Sequence, residues 1–283
     1  MARIAVLVVA YRSSAEMEPF AQSLVASTAE TNHTSDLYVL DNSGDPGEIE
    51  ILSSMKGVHR FVASDVNLGY GGGMNVLAAH LDGAYDWLLV CNPDVRFTIN
   101  SIGNLVDATA RHPEAGLFGP LVFSEDGTQY PSARAFPSIR TGVGHALFAN
   151  VWPKNPWTRR YHRGGATDAQ TEKNVDWLSG ACLLVRPEAF EQAGGFDDGF
   201  FMYFEDVDLA FRLRKLGWSA VFVPGAVIVH SGAHSTSTSA GVMRAVHHRS
   251  ARRYLDKKYT GWYLAPLRWA LRFGLYLRRE LGK

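Results

Sequence analysis

The chain has 283 residues, 46% of them hydrophobic, enough for one large domain with a full core. Its 28 Lys/Arg balance 28 Asp/Glu, and a net charge of zero argues against nucleic acid as the partner. No apolar stretch reaches the roughly 18 residues of a membrane span, and the N-terminus lacks a signal-peptide layout, so a cytoplasmic protein, free or peripheral to a membrane, is expected.

The neutral total hides an asymmetry. From residue 244 to the end, eleven Lys/Arg face only Asp256 and Glu280, so a basic tail follows an acidic body. That arrangement points to an anionic surface as a partner. Cys91 and Cys182 lie in apolar runs; buried thiols in a reducing compartment account for them, and nothing demands a disulfide.

Residues 4–10 form a continuous β-branched apolar run, the pattern of a strand buried on both faces. Residues 16–29 have helical spacing, with Phe20 and Leu24 on one side. A second strand over 36–40 ends in Asp41-Asn42-Ser43, and a third over 59–63 ends near Asn67. From Asn67 to Asn75 the sequence reads as a Gly-rich loop entering a helix over 73–81. Such a loop lets backbone N–H groups approach an anion. A fourth strand, 86–91, ends in Asn92-Pro93-Asp94, and 99–111 is helical. Alternating strands and helices predict an α/β domain with a mostly parallel sheet. Three strand ends are polar, and ligands bind beyond the carboxyl ends of such strands, so a nucleotide-binding crevice is expected there.

Residues 117–174, rich in Pro, Gly, Arg and Trp, read as long functional loops. A strand over 175–185 contains Trp177-Leu178-Ser179-Gly180. A short helix follows over 188–194, then a helix over 204–216 and two short strands, 219–223 and 226–230. The Ser/Thr run after Ser231 reads as a mobile loop.

Two acidic segments carry the chemistry. Asn92-Pro93-Asp94 at a strand end is good turn chemistry, and equally a carboxylate able to hold Mg2+ or Mn2+ beside a diphosphate. Glu205-Asp206-Val207-Asp208 follows the aromatic run Phe200-Phe201-Met202-Tyr203-Phe204. Acids there suit a helix N-terminus, but so many aromatics argue for a pocket wall with a carboxylate as general base. Asp208 and Arg212 are spaced to pair on one helix face. His230 and His234 are either metal ligands or structural histidines.

In their order, Val8-Val9-Ala10-Tyr11, Asp41-Asn42-Ser43, Asn67-Leu68-Gly69-Tyr70-Gly71, Asn92-Pro93-Asp94, Trp177-Leu178-Ser179-Gly180 and the segment from Phe201 to Arg212 resemble glycosyltransferase family 2. Tyr130-Pro131-Ser132-Ala133-Arg134, Trp152-Pro153-Lys154-Asn155-Pro156-Trp157 and Ala233-His234-Ser235-Thr236 are similar to an actinobacterial subgroup of its rhamnosyltransferase branch. The resemblance implies a Rossmann-like GT-A fold and inverting transfer with Mn2+ or Mg2+. The implied donor is dTDP-β-L-rhamnose, and the implied acceptor is the 3-hydroxyl of N-acetylglucosaminyl-diphospho-polyprenol in cell-wall linker synthesis.

Carried onto this sequence, the resemblance assigns the metal to Asp94 with His230, and Asn92 stands where the family motif has its first acid. It assigns base catalysis to Asp206 beside Glu205, and nucleobase binding to Asp41. The rest of the donor site falls to Ala10, Tyr11, Asn67, Gly69, Gly71, Asn75 and Arg212, and the acceptor site to Trp177, Ser179, Gly180, Tyr203 and Asp208. Residues 1–240 are expected to form the catalytic domain, and 241–283 a basic helical extension. On a helical wheel over 261–281, Arg268, Arg272 and Arg279 form one stripe among aromatic and Leu residues. With Arg249, Arg252, Arg253, Lys257 and Lys258, they predict a segment lying on the inner face of an anionic bacterial membrane, where a polyprenyl acceptor resides. The sequence is also compatible with a homodimer.

Overall fold

The structure, a computed structural model, describes residues 1–137, 170–232, 240–266 and 268–272. Along the chain run β1 (Arg3–Ala10), α1 (Ser14–Thr28), β2 (Thr34–Asp41), α2 (Pro46–Ser54), β3 (Val58–Ala63), α3 (Gly69–Ala79), β4 (Trp87–Cys91), β5 (Val95–Phe97), α4 (Ser101–Arg111) and β6 (Ala115–Phe123). Short strands β7 (Gln129–Tyr130), β8 (Ala133–Arg134), β9 (Lys173–Val175), β10 (Trp177–Leu178) and β11 (Cys182–Val185) follow. Then come α5 (Pro187–Gln192), α6 (Glu205–Lys215), β12 (Ser219–His230) and α7 (Ala240–Lys258).

The main sheet has the order β3-β2-β1-β4-β11-β6-β12-β5. β1 to β4 are mutually parallel, and β11 runs antiparallel between β4 and β6. Helices cover both faces, so alternate residues of β1 enter different cores. Ile4, Val6 and Val8 join Phe20, Leu52 and Ile102 on one side, whereas Ala5, Leu7 and Val9 join Tyr38, Met74 and Leu209 on the other. This is why an unbroken apolar run, rather than an alternating one, encodes the strand. The chain passes from β1 to β2 and β3 on one side and returns to β4 on the other. The carboxyl ends of β1 and β4 therefore flank a topological switch point, the usual site of a ligand crevice in such sheets.

Several sequence expectations are corrected. The Gly-rich stretch is not a loop: α3 begins at Gly69, and its glycines lie in the first turns because they pack closely, as described below. Residues 117–123 belong not to a loop but to the central strand β6, whose Gly119 and Pro120 disguise it. Pro120 is tolerated because it pairs with Val223 at a bulge in β12, where the ladder is already interrupted. That bulge also lets β12 run as one strand through Pro224-Gly225 instead of two. The strand expected over 175–185 is three pieces, broken at Asp176 and at Ser179-Gly180-Ala181. Most of the 152–174 loop, His234, the Ser/Thr run and the wheel residues beyond Arg272 lie outside the described residues.

The first part of the basic tail is docked on the body. Tyr254 of α7 is fully buried against Phe200 and Val207, and Ser250 Oγ donates to the Met202 carbonyl at 2.8 Å. Several of its cations are paired rather than available to lipid. Lys257 Nζ lies 2.6 Å from both Asp197 Oδ2 and Asp208 Oδ1, and Arg253 Nη2 lies 2.7 Å from Asp197 Oδ1. Arg272 pairs with Asp256 at 2.8 Å, and Arg268 donates to the carbonyls of Tyr259 and Gly261.

Candidate active site

The crevice at the switch point begins with Ala10, buried and in register with Asp41 of β2, and Tyr11, which is partly exposed at the end of β1. Asp41 is fully buried. Its carboxylate accepts from Ser43 Oγ at 2.8 Å and Gly44 N at 2.9 Å, so it shapes the turn rather than offering itself to solvent. Asn42, unassigned from sequence, links this turn to the next. Its Nδ2 donates to Asn67 Oδ1 and the Gly69 carbonyl, both at 3.0 Å, and its Oδ1 accepts from Leu68 N at 2.8 Å.

Gly69 has φ 73°, and a Cβ there would sit 2.1 Å from the Phe201 carbonyl oxygen, which accepts from Tyr70 N at 3.1 Å. At Gly71 a Cβ would meet Phe196 at 2.8 Å, and at Gly73 it would meet Val9 at 2.7 Å. The glycines therefore seat α3 against β1, Phe196 and the aromatic segment. Asn75 is likewise structural. Its amide donates to the Phe196 carbonyl and Asp198 and accepts from Phe196 N.

β12 delivers His230 opposite Val95, next to Asp94. His230 Nε2 lies 3.1 Å from Asp94 Oδ1 and 3.1 Å from Asn92 Nδ2. Asp94 Oδ2 accepts from Gly232 N at 2.9 Å, whereas Oδ1 is buried and receives no hydrogen bond. The two contacts compete for one imidazole nitrogen. With Asn92 donating to it, Nε2 is an acceptor, and Asp94 Oδ1 faces it bare. A bare carboxylate oxygen beside a neutral imidazole nitrogen fits a divalent cation. Among the described residues no group of three or more His, Cys, Asp or Glu could hold a metal, so a cation here would take its remaining ligands from water or substrate oxygens.

The second acidic segment lies at the start of α6. Tyr203 and Phe204 both have left-handed backbone, φ 67° and 70°, which costs about 1–3 kcal/mol each in a non-glycine residue. The kink places Glu205 and Asp206 in the first helical turn. α7 holds it in place: the His247 ring packs edge-on against Tyr203 and Phe204, with centroids 5.4 and 5.3 Å apart, and the Tyr254 ring lies tilted against Phe204 at 5.6 Å. Glu205 is buried with Oε2 unpartnered; burial first, then repulsion from Asp206, raises its pKa to about 8. Asp206 is also raised by burial, although its Oδ2 accepts from Gly180 N at 2.9 Å and its Oδ1 from Val207 N at 2.7 Å.

The Ser179-Gly180-Ala181 turn joins the two segments. Ala181 accepts from Asn92 N at 2.9 Å, and the Gly180 N–H holds Asp206 while its carbonyl takes the Tyr70 hydroxyl at 2.6 Å. Ser179 N donates to Ser132 at 2.7 Å, and Trp177 Nε1 to Ala135 at 3.0 Å, which ties this strip to β8. Asp208 and Arg212 stand apart from it. Asp208 is fully buried between Lys257 and Arg212, and Arg212 also donates to the Ala193 and Gly195 carbonyls. Both belong to the network that anchors α7, not to a surface that meets substrate.

The profile described as "Glycosyltransferase like family 2" matches residues 2–254, nine-tenths of the chain. The chain belongs to glycosyltransferase family 2. This transferase is 41% identical to the N-acetylglucosaminyl-diphospho-decaprenol L-rhamnosyltransferase of Mycobacterium tuberculosis, over 98% of this chain and 91% of the relative. It is 27% identical to the rhamnosyltransferase WbbL of Escherichia coli, over 67% and 71%. Its GT-A fold is shared with the mannosyltransferase PcManGT of Pyrobaculum calidifontis in complex with GDP-Man and Mn2+. That match has a TM-score of 0.57 and 16% identity, and covers 98% of this chain and 71% of the other. GalNAc-T7 with UDP, GalNAc and Mn2+ matches with the same TM-score at 13% identity, where 95% of this chain spans about half, 53%, of that one.

Proposed function

We propose that this transferase moves L-rhamnose from dTDP-β-L-rhamnose to the 3-hydroxyl of N-acetylglucosaminyl-diphospho-polyprenol, with inversion, at a step of cell-wall linker synthesis. One observation carries the reading: a bare carboxylate–imidazole pair, Asp94 and His230, and a half-buried, backbone-held carboxylate, Asp206, meet across a single three-residue turn. Inverting transfer needs these two functions, one for the departing diphosphate and one for the acceptor proton. The Mycobacterium tuberculosis relative supports the choice of sugar and acceptor.

Asp94 and His230 would hold the divalent cation, with the crevice at Ala10 and Tyr11 beside them for the nucleotide. The mixed oxygen and nitrogen donors favour Mn2+ over Mg2+, which prefers oxygens alone. The cation supplies charge neutralisation for the leaving dTDP. Asp206 accepts the proton of the acceptor hydroxyl as that oxygen attacks the anomeric carbon. Its raised pKa strengthens it as a base, and the Gly180 and Val207 N–H groups fix its direction. Glu205, protonated up to about pH 8, adds no second negative charge to the pocket. Such an acceptor stays at a bilayer. No helix among the described residues is long and apolar enough to cross one, but Trp262, Tyr263 and Trp269 are 86%, 68% and 72% exposed. These rings at the far end of the docked tail are suited to a membrane interface, and with the exposed tail cations they support peripheral attachment.

Transfer measured over a panel of nucleotide sugars with a short-chain polyprenyl-diphospho-N-acetylglucosamine acceptor tests the assignment. Turnover with dTDP-L-rhamnose is expected; turnover with a UDP-sugar and none with dTDP-L-rhamnose would overturn it.

A further inference from the structure

The segment Tyr130-Pro131-Ser132-Ala133-Arg134 has no role in the scheme above, yet it lies against the acceptor side of the site. Arg134 pairs with Trp177 across the β8–β10 ribbon. Its guanidinium stacks 5.3 Å from the Trp177 ring and 5.2 Å from the Tyr130 ring, and Nε donates to the Pro131 carbonyl at 2.6 Å. Among the described residues Arg134 has no carboxylate partner, which sets it apart from Arg3, Arg96, Arg212 and Arg253. A cation clamped between two rings, with its outer N–H groups unpaired by any acid, is pre-organised for an external anion.

Its position indicates which anion. Along the strip 177–181, Trp177 carries Arg134 at one end, Gly180 holds Asp206 in the middle, and Ala181 binds Asn92 of the metal segment at the other. The four steps from Trp177 to Ala181 span at most about 13–14 Å when extended. The base thus sits between two anion-directed ends, and the donor diphosphate takes the end with Asp94 and His230. Arg134 is near enough to Asp206 for its charge to favour the ionised carboxylate.

We infer that Arg134, clamped by Tyr130 and Trp177, binds the diphosphate of the acceptor lipid, one sugar ring from the hydroxyl that Asp206 deprotonates, and so selects diphosphate-linked acceptors. This rests on the proposed acceptor class. The test compares Arg134→Gln and Arg134→Lys with the parent enzyme on two acceptors: farnesyl-diphospho-N-acetylglucosamine and the uncharged octyl N-acetylglucosaminide. Arg134→Gln should raise KM for the diphosphate acceptor at least tenfold, leave KM for the glycoside and the donor within twofold, and be partly rescued by Arg134→Lys. Equal changes on both acceptors, or no change on either, overturn the inference. Competitive inhibition by farnesyl diphosphate gives a second reading: the inhibitor should bind Arg134→Gln at least tenfold more weakly, and unchanged inhibition refutes the site. This arm reports on Arg134 whichever sugar nucleotide proves to be the donor, so failure of the donor assignment is seen separately.

Discussion

Replacing Asp206 by Asn separates chemistry from architecture. The side chain accepts two backbone N–H bonds, from Gly180 at 2.9 Å and Val207 at 2.7 Å. Asn keeps one acceptor oxygen but turns an amide toward the other N–H, so one bond is lost, at about 1–3 kcal/mol. Against this, the neutral amide removes the desolvation cost of a charge at this position. The net change in stability should stay within about 1–2 kcal/mol, and the variant should fold. The loss of a general base is larger: about 10²–10⁴ in rate, or roughly 3–5 kcal/mol of barrier. Single-turnover transfer from dTDP-L-rhamnose, paired with calorimetric titration of dTDP, reads both quantities. The expected result is a rate loss in that range with dTDP affinity unchanged. Transfer within about threefold of the parent enzyme would remove Asp206 from the base role, and loss of dTDP binding would show that it belongs to the donor site instead.

Glu205→Gln should alter the pH dependence of stability. The folded state holds the Glu205 proton up to about pH 8, against 4.5 for the ordinary carboxyl, so this stabilisation is fully present below pH 4.5 and is lost as pH rises through about 8. Thermal melts of the Gln variant should lack that decline, and parallel profiles would contradict the buried, proton-bearing state. Lys257→Met should lower stability in urea by about 2 kcal/mol, less than the roughly 3–5 of a broken buried pair, because Arg212 still faces Asp208. His230→Ala should raise the Mn2+ concentration for half-maximal activity about ten- to a hundredfold; an unchanged Mn2+ titration would take His230 out of the metal site. Replacing Trp262 and Trp269 together by Ala should weaken sedimentation with anionic liposomes while leaving the melting temperature within a degree or two, and undiminished binding would refute the aromatic attachment.

The sequence alone determined the α/β class, the positions of the first four strands along the chain, and the two acidic segments. Each of these is local: a β-branched run buried on both faces, or polar residues placed at the end of such a run, can be read within ten residues. What it misassigned depended on partners far along the chain. The glycines of α3 resemble an anion loop until Val9, Phe196 and Phe201 are seen pressed against them. Asp208 and Arg212 resemble site residues until Lys257, about fifty positions later, is placed beside Asp208. β6 is disguised because Gly and Pro usually break a strand, and only the bulge in its neighbour β12 makes Pro120 acceptable. The structure alone brought the two acidic segments onto one turn. No periodicity encodes the backbone N–H groups of Asn92 and Gly180 that join them through one turn, since the Asn92 bond reaches Ala181, about ninety positions away, and the Gly180 bond reaches Asp206, 26 positions away, as the sheet closes around that turn.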